Sequence, residues 1–421
     1  MRILFLTEIA DPGVGSSSRL TFQLARTLED QGHQCAVVGA VQERDEATPA
    51  EVQGISVFRL YSHYPVRFRA WRSLHNSCMD QPLEEILRDW RPDLVHAHLI
   101  HTHIGYHALT QAKRLGVAVV FTAHDVMTFC YQKLTCFHGG EEHGGQDFDV
   151  VARLSKCIPC QRFRFRPGRN QRISQVLERD VDRLTVVSDA LGEVLRMNQV
   201  RVHATVHNGL ALQETLPGAD EVAAFRRKHD LEGRQVLAIG GRLHTQKGVG
   251  KLLEMLALLV PKYPDLCLLV MGKAEIYNQE FLPQAQQLGV ADRVRASGWL
   301  SGAELQQAYA AVDIFVTPSI CFDTFGMVNL EAMEHSKPVI ATSLGGSREV
   351  VLHGETGFIA NPFDVPGFAG RIAELLQDPA LAQQMGAAGR VRLEEKFTIA
   401  SMAEAYLNQY HEALTGASSP I

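Results

Sequence analysis

The sequence predicts an α/β protein of two Rossmann-like, doubly wound domains facing each other across a cleft, and three observations carry that expectation. Short β-branched runs alternate with longer amphipathic stretches at the lengths of parallel βαβ units. The alternation breaks once, at a polar stretch containing Gly and Pro, and then restarts. The length of 421 residues also exceeds one ordinary core, at about 150 residues per domain.

In chain order, "RILFLTE" reads as a strand, "SRLTFQLARTLEDQG" as a helix and "QCAVVGAV" as the next strand. "PDLVHAH", "GYHALTQAKRLG" and "VAVVFTAHD" repeat the unit, and "VRVHATVH" closes the first set with a strand. After the break come "QVLAIGGRL", the helix "KGVGKLLEMLALLVPKYP", "LCLLVMGKA", the helix "AELQQAYAAV", "DIFVTPS" and "PVIATSL". The expected division is a first domain over 1–207, a linker over 208–219, a second domain over 220–395, and a C-terminal helix and tail over 396–421 that packs back on the first domain. Segments 61–80 and 127–172 fit neither set and read as acceptor-recognition insertions, because they carry aromatic, Arg and Cys residues that disorder disfavours. Ligands of such sheets bind beyond the carboxyl ends of the strands, so the active site is expected in the cleft between the domains.

Composition narrows the function. Hydrophobic residues make up 46% and charged residues 21%, as in ordinary globular chains. Residues 1–210 hold 24 Lys+Arg against 23 Asp+Glu and residues 211–421 hold 17 against 24, so the halves are +1 and −7. Neither half is basic enough to indicate nucleic acid as a partner. The opening "MRILFLTEIA" lacks a cleavage pattern and reads as a strand, and no run approaches the roughly 18 apolar residues of a membrane helix. Eight scattered cysteines fit a reducing compartment, and a cytoplasmic protein is expected.

Two stretches carry the chemistry. "GGRLHTQKG" (240–248) brings Gly241, Arg242 and Lys247 from a strand into the start of a helix. Close backbone approach, unpaired N–H groups and two cations together suit a diphosphate, whereas a solvated loop is the plainer reading. "SICFDTFGMVNLEAMEHSKPVIATSLGG" (319–346) places Asp323 in a loop and Glu331 inside a helix that starts at Phe325, Gly326 and Met327. Separated by eight residues, the two carboxylates cannot share a helical face and read as two grips on one ligand.

Those stretches, with "DPGVGSSS", "PDLVHAH", "FTAHD", "GWLSGAELQQAYAAVDIFVTPS" and "HGETGFIANP", resemble a retaining glycosyltransferase of family 4, which implies the GT-B architecture over nearly the whole chain. The resemblance implies that Arg242 and Lys247 neutralise a donor diphosphate, that Glu331 binds the ribose, and that Asp323 meets the sugar hydroxyls. It further implies that the backbone around Gly241 and Phe325–Met327 holds phosphate and sugar, that Gly13 and Gly15 lie near the phosphates, and that His124 reaches the transferred sugar. Where the family usually has Glu, this chain has Asp323, a departure that bears on sugar preference and activity. The implied reaction moves a sugar from a nucleoside-diphosphate sugar to an acceptor hydroxyl of a glycan, lipid-linked or small molecule. It retains the anomeric configuration and requires no metal, because preorganised cations and amide dipoles stabilise the departing diphosphate. A phosphorylase, a sugar-nucleotide epimerase and an inactive nucleotide-binding partner subunit stay open. A nicotinamide enzyme does not fit, since "GVGSSS" lacks the third fingerprint glycine and "QCAVVGAV" lacks a terminal acid.

Three further clusters bear on partners. Cys130, Cys136, Cys157 and Cys160 form C-x5-C-x20-C-x2-C, which suits either a structural zinc or redox-active thiols. Of His96, His98, His101, His103 and His107, the first two end a strand at the place where the family this chain resembles commonly has a His lining the cleft, which implies His98 on the acceptor side in preference to metal ligation. "QRFRFRPGRNQR" holds Arg162, Arg164, Arg166, Arg169 and Arg172 with two Phe; Arg164 and Arg166 are candidates for an acceptor phosphate or anionic lipid at the inner face of a membrane.

Overall fold

A computed structural model describes residues 1–132, 134 and 149–416. Two compact units emerge: unit 1 is Met1–Leu134, Val150–Ala211 and the chain from Thr398, and unit 2 is Leu212–Phe397. The expected linker, 208–219, contains the crossover between Ala211 and Leu212.

Unit 1 is built on an eight-stranded sheet of order β3-β4-β2-β1-β5-β6-β7-β8. The strands are β1 Arg2–Ile9, β2 Gln34–Val41, β3 Ala50–Val52, β4 Ile55–Tyr61, β5 Leu94–Ala97, β6 Ala118–Ala123, β7 Arg183–Val186 and β8 Ala204–Thr205. Ile3, Leu4, Phe5 and Leu6 are fully buried, as expected where helices cover both faces of a parallel sheet and the strand reads as a continuous apolar run. In register, Ile3 pairs with Cys35 on one side and with Leu94 on the other. One departure from the all-parallel expectation is β3, which runs antiparallel to β4. Another is the strand expected from "VRVHATVH", which shrinks to two residues. There the Leu184 N–H donates to His203 Nδ1, so an imidazole takes the place of a ladder carbonyl.

The helix Ile399–Thr415 belongs to unit 1, where Tyr406 and Tyr410 are fully buried. The Tyr410 hydroxyl meets His96 Nδ1 at 2.7 Å and that of Tyr406 meets Thr122 Oγ1 at 3.1 Å. Arg183 Nε donates to Gln409 Oε1, and its guanidinium pairs with Glu412 at 2.5 Å. The segments that fitted neither strand–helix set contain short helices, Arg69–Arg72 and Leu154–Gln161 among them.

Unit 2 carries six parallel strands of order β11-β10-β9-β12-β13-β14: β9 Gln235–Gly240, β10 Leu266–Met271, β11 Val294–Ala296, β12 Ile314–Thr317, β13 Val339–Thr342 and β14 Gly357–Ala360. Leu237 and Ile239 of β9 pack with Leu252, Leu253 and Leu256 of the helix Val249–Leu259 and with Ile314 and Val316 of β12. Register places Ala238 opposite Phe315 and Thr317 opposite Ala341, so the carboxyl ends of β9, β12 and β13 lie together.

At the start of that helix Gly248 has φ +76°, and a Cβ there would sit 1.8 Å from the Pro318 carbonyl oxygen. Gly233 has a similar φ of +68° with nothing within 4 Å. Left-handed φ alone costs an L residue about 1–2 kcal/mol. In thermal and denaturant unfolding, Gly233→Ala is therefore expected to lose about 1 kcal/mol. Gly248→Ala, which must also displace backbone, should lose at least about 3 kcal/mol.

Candidate functional site

In unit 2 three loops leave neighbouring strand ends and pack on one another. The turn after β9 carries Gly241 at φ +103°, exposed Arg242 and then Lys247, before Gly248 opens the helix Val249–Leu259. The segment after β12 crosses that turn: the Ile320 N–H donates to the Gln246 carbonyl at 2.9 Å, and a Cβ on Gly241 would lie 3.7 Å from Val328. The two stretches singled out in the sequence are thus one site. The loop after β13 closes it, since the Asp323 N–H donates to the Leu344 carbonyl and the Gly346 N–H to the Asp323 carbonyl at 2.7 Å. Gly345, at φ +98°, makes that approach possible, because a Cβ would meet the Asp323 carbonyl oxygen at 2.2 Å.

Charge is arranged with care there. Asp323 is 7% exposed; its Oδ2 accepts from Ser319 Oγ at 3.1 Å and lies 3.5 Å from Lys247 Nζ. The Asp323 carboxylate raises the Lys247 pKa above its ordinary value against the opposing effect of burial, with Arg242 pushing weakly the other way. Lys247 is therefore held as a cation that a second anion can share. The helix Met327–Glu334 begins at Gly326, φ +83°, where a Cβ would meet Asn329 Nδ2 at 2.6 Å. Buried Asn329 fixes this helix start by accepting from Thr317 Oγ1 and donating to Ser347 Oγ. The Phe325 ring is buried edge-on against Phe397, leaving its backbone at the loop, and Met327 is half-buried. Glu331 is half-buried too, and its Oε2 accepts the hydroxyl of buried Tyr309 at 2.6 Å.

Sequence reasoning missed Ser319, Asn329 and Tyr309. Each acts through a contact at 4 to 22 residues' separation, which no local pattern carries. Glu334 was also missed; it is buried, its pKa is raised by that burial, and it accepts the Gln213 N–H.

In unit 1, Gly13 and Gly15 lie exposed in the turn between β1 and the helix Ser16–Asp30. The Gly13 N–H donates to Asp11 Oδ1, and Ser18 Oγ bridges the Ile9 and Asp11 carbonyls at 2.8 Å each. His124 follows β6 and meets His98 Nδ1 through its Nε2 at 2.7 Å. Burial keeps both imidazoles neutral, with His124 lowered to about 4 and His98 well below its ordinary value. His98 is fully buried behind His124. His96 is enclosed between Thr122 and Tyr410, each at 2.7 Å, because β5 presents it to the C-terminal helix. Beside this group, His101 Nε2 lies 3.2 Å from Asp125, and Glu8 accepts the Thr102 and His103 N–H groups at 2.6 Å each.

Arg166 stacks 4.2 Å over Trp71 and donates to its carbonyl, and Arg164 lies 5.5 Å from the ring centre of Phe163. Arg169 turns inward, 2% exposed, and donates to the Met127 carbonyl. Cys130 and Cys157 are half-buried and Cys160 is exposed, whereas Cys136 lies outside the described residues. Among the described residues these three cysteines do not make a three-ligand group.

Comparison with known proteins agrees with this layout. The family described as Glycosyltransferase Family 4 matches residues 17–214, and that described as Glycosyl transferases group 1 matches residues 221–392. The glycogen synthase of Mycobacterium tuberculosis is 28% identical over 336 residues, 79% of this chain and 72% of that protein. The sulfoquinovosyl transferase of Arabidopsis thaliana is 27% identical over 98% of this chain and 74% of its own. Among solved structures, the sucrose-phosphate synthase of Thermosynechococcus elongatus superposes with a TM-score of 0.76 at 20% identity, covering 99% of this chain and all of that one.

Glu8 generates a pH prediction. Burial raises its pKa from 4.5 to about 7, so between those values the folded state holds a proton that the unfolded state has lost. Stability from this group is present at low pH and is lost as pH rises through about 7. Glu8→Gln does not titrate. Its melting temperature relative to the parent protein should rise between pH 5 and pH 8 by thermal denaturation; a constant difference would show that Glu8 is ionised in both states.

Proposed function

The chain belongs to the family-4 glycosyltransferases, and from that premise we propose that it transfers a sugar from a nucleoside-diphosphate sugar to an acceptor hydroxyl with retention and without a metal in the chemistry. The observation that carries this reading is the meeting of Lys247, Asp323 and Ser319 where two glycine-opened helices begin. Arg242 and Lys247 would bind the diphosphate with the N–H groups around Gly241 and Gly326–Met327. Glu331, whose Oε2 accepts the Tyr309 hydroxyl, would meet a ribose hydroxyl. Asp323 would face the transferred sugar. Within unit 1, Gly13 and Gly15 would approach a phosphate, and neutral His124 can hydrogen-bond a sugar hydroxyl without adding charge.

In the reaction the bond from the anomeric carbon to the phosphate oxygen breaks, and the acceptor oxygen bonds to the same face. The acceptor proton passes to the departing phosphate, whose growing charge is stabilised by Lys247 and Arg242 more strongly than that of the ground state. A second reading, a nucleotide-binding subunit without transfer, is favoured by the shorter carboxylate at Asp323. Incubating the purified chain with UDP-, GDP- and ADP-sugars separates the two. Release of diphosphate with a product of unchanged anomeric configuration supports transfer, and donor binding without turnover on any acceptor supports the subunit.

The two carboxylates should fail differently. Glu331→Gln should weaken both nucleoside diphosphate and donor by about 1–3 kcal/mol. Asp323→Asn removes a negative charge 3.5 Å from Lys247, so diphosphate affinity should hold or rise while turnover falls. Calorimetry with the diphosphate beside initial rates checks this, and equal loss of diphosphate affinity in both variants would refute the two-grip arrangement.

The Arg- and aromatic-rich surface of unit 1 would also suit anionic lipid. Phe163, Leu154, Trp71, Ile158 and Phe68 are 81, 66, 51, 48 and 46% exposed, with Arg164, Arg166 and Arg67 lying over Phe163, Trp71 and Phe68. Aromatic bodies with guanidinium partners suit a phospholipid headgroup layer. No helix among the described residues is long and apolar enough to cross a membrane. Co-sedimentation should show binding to phosphatidylglycerol vesicles that exceeds binding to phosphatidylcholine and falls with salt. Phe163→Ala with Arg164→Ala should reduce it several-fold.

A further inference from the structure

We propose that His75, Asp80 and His107 form a binding site for one zinc-type divalent cation in unit 1. An imidazole nitrogen from each histidine and a carboxylate oxygen all lie within 4.8 Å of one another, the only such group of three among the described residues. Asp80 is 2.8 Å from His75 Nε2 and 4.0 Å from His107 Nε2, and the two imidazole centres are 4.3 Å apart. In tetrahedral zinc with bonds of about 2.0–2.1 Å, ligand atoms stand about 3.3 Å apart. The observed oxygen–nitrogen separations of 2.8 and 4.0 Å bracket that value.

The backbone holds the ligands in place before any cation arrives. His75 follows the helix Arg69–Arg72, Asp80 opens the helix Asp80–Trp90, and His107 opens the helix His107–Arg114. The Tyr106 and His107 N–H groups donate to the Ser73 and Leu74 carbonyls at 2.7 and 3.1 Å, which fixes His107 beside the segment that leads to His75. Gly105, at φ +85°, allows that contact, since a Cβ would crowd the Arg72 carbonyl oxygen at 3.1 Å. One turn into its helix, Gln111 donates to the Asp80 carbonyl at 2.8 Å and ties the third ligand to the second.

Two imidazoles and one carboxylate favour zinc, nickel or copper over magnesium or calcium, which prefer all-oxygen sets, and they leave a fourth position for water. As a plain ion pair, His75 with Asp80 would sit in solvent and contribute little, and it would not require His107 at its side. None of the three residues belongs to the proposed donor or sugar-binding set, so the inference stands apart from the transfer reading.

The test uses the full chain, stripped with a chelator and dialysed against zinc chloride, with bound metal counted by elemental analysis. The parent protein should hold one more zinc per chain than either His75→Ala/His107→Ala or Asp80→Asn. Reading the difference removes any zinc carried by the cysteines. Circular dichroism and melting temperature in chelator should match between parent and variants, which shows that they fold. Zinc should raise the parent's melting temperature more than that of the variants, and magnesium should raise neither. Equal zinc content in folded parent and variants would overturn the site; an equal response to magnesium would overturn its zinc-type selectivity.

Discussion

Parallel strand pairing is the constraint on which the rest of unit 2 depends. Because β12 lies between β9 and β13 and all three run the same way, the residues that follow Gly240, Thr317 and Thr342 must emerge side by side. The loops are thereby forced into contact, and the glycines at 248 and 345 are where two of them come closest to a neighbouring backbone. Lys247 reaches Asp323 across 76 residues of sequence for that reason alone. An antiparallel arrangement would have sent alternate loops to opposite edges and separated the pair.

Unit 1 applies the same pairing to a different end. Its sheet delivers His98 and His124 from neighbouring strand ends into contact, where burial keeps both rings neutral, while His96, two residues earlier, bonds to Thr122 and Tyr410 in the core. His96 and His98, two residues apart, share one face of the chain and their rings pack 4.1 Å apart, with His98 the one that reaches His124. Glu8, at the end of β1, braces the following loop through two N–H groups.

Much of this was legible in the sequence where one segment carries its own signal. Each strand of β9, β10, β12 and β13 lies within an apolar run, and "GGRLHTQKG" and "FGMVNLEAM" announce helix starts through glycines whose φ is positive. Contacts between segments were not legible. Nothing in the pattern around Tyr309 indicates that its hydroxyl engages Glu331, and Asn329 looks like an ordinary helix residue until Thr317 and Ser347 are placed around it. The short antiparallel β3 has too few residues for a period, and the truncation at β8 depends on a histidine side chain substituting for backbone.

The return of the chain at Thr398 has a consequence for biosynthesis. Gly209 and Leu210 lie against Thr398 and Ile399, and the helix that follows supplies Tyr406 and Tyr410 to the core of unit 1. On a ribosome, where residues emerge from the N-terminus, unit 2 has its whole chain available at Phe397. Unit 1, begun first, is still missing the side chains that cover His96 and Thr122. The half of the protein translated earlier is thus the half completed later, and a nascent chain halted before residue 399 would expose a row of polar groups meant for the interior.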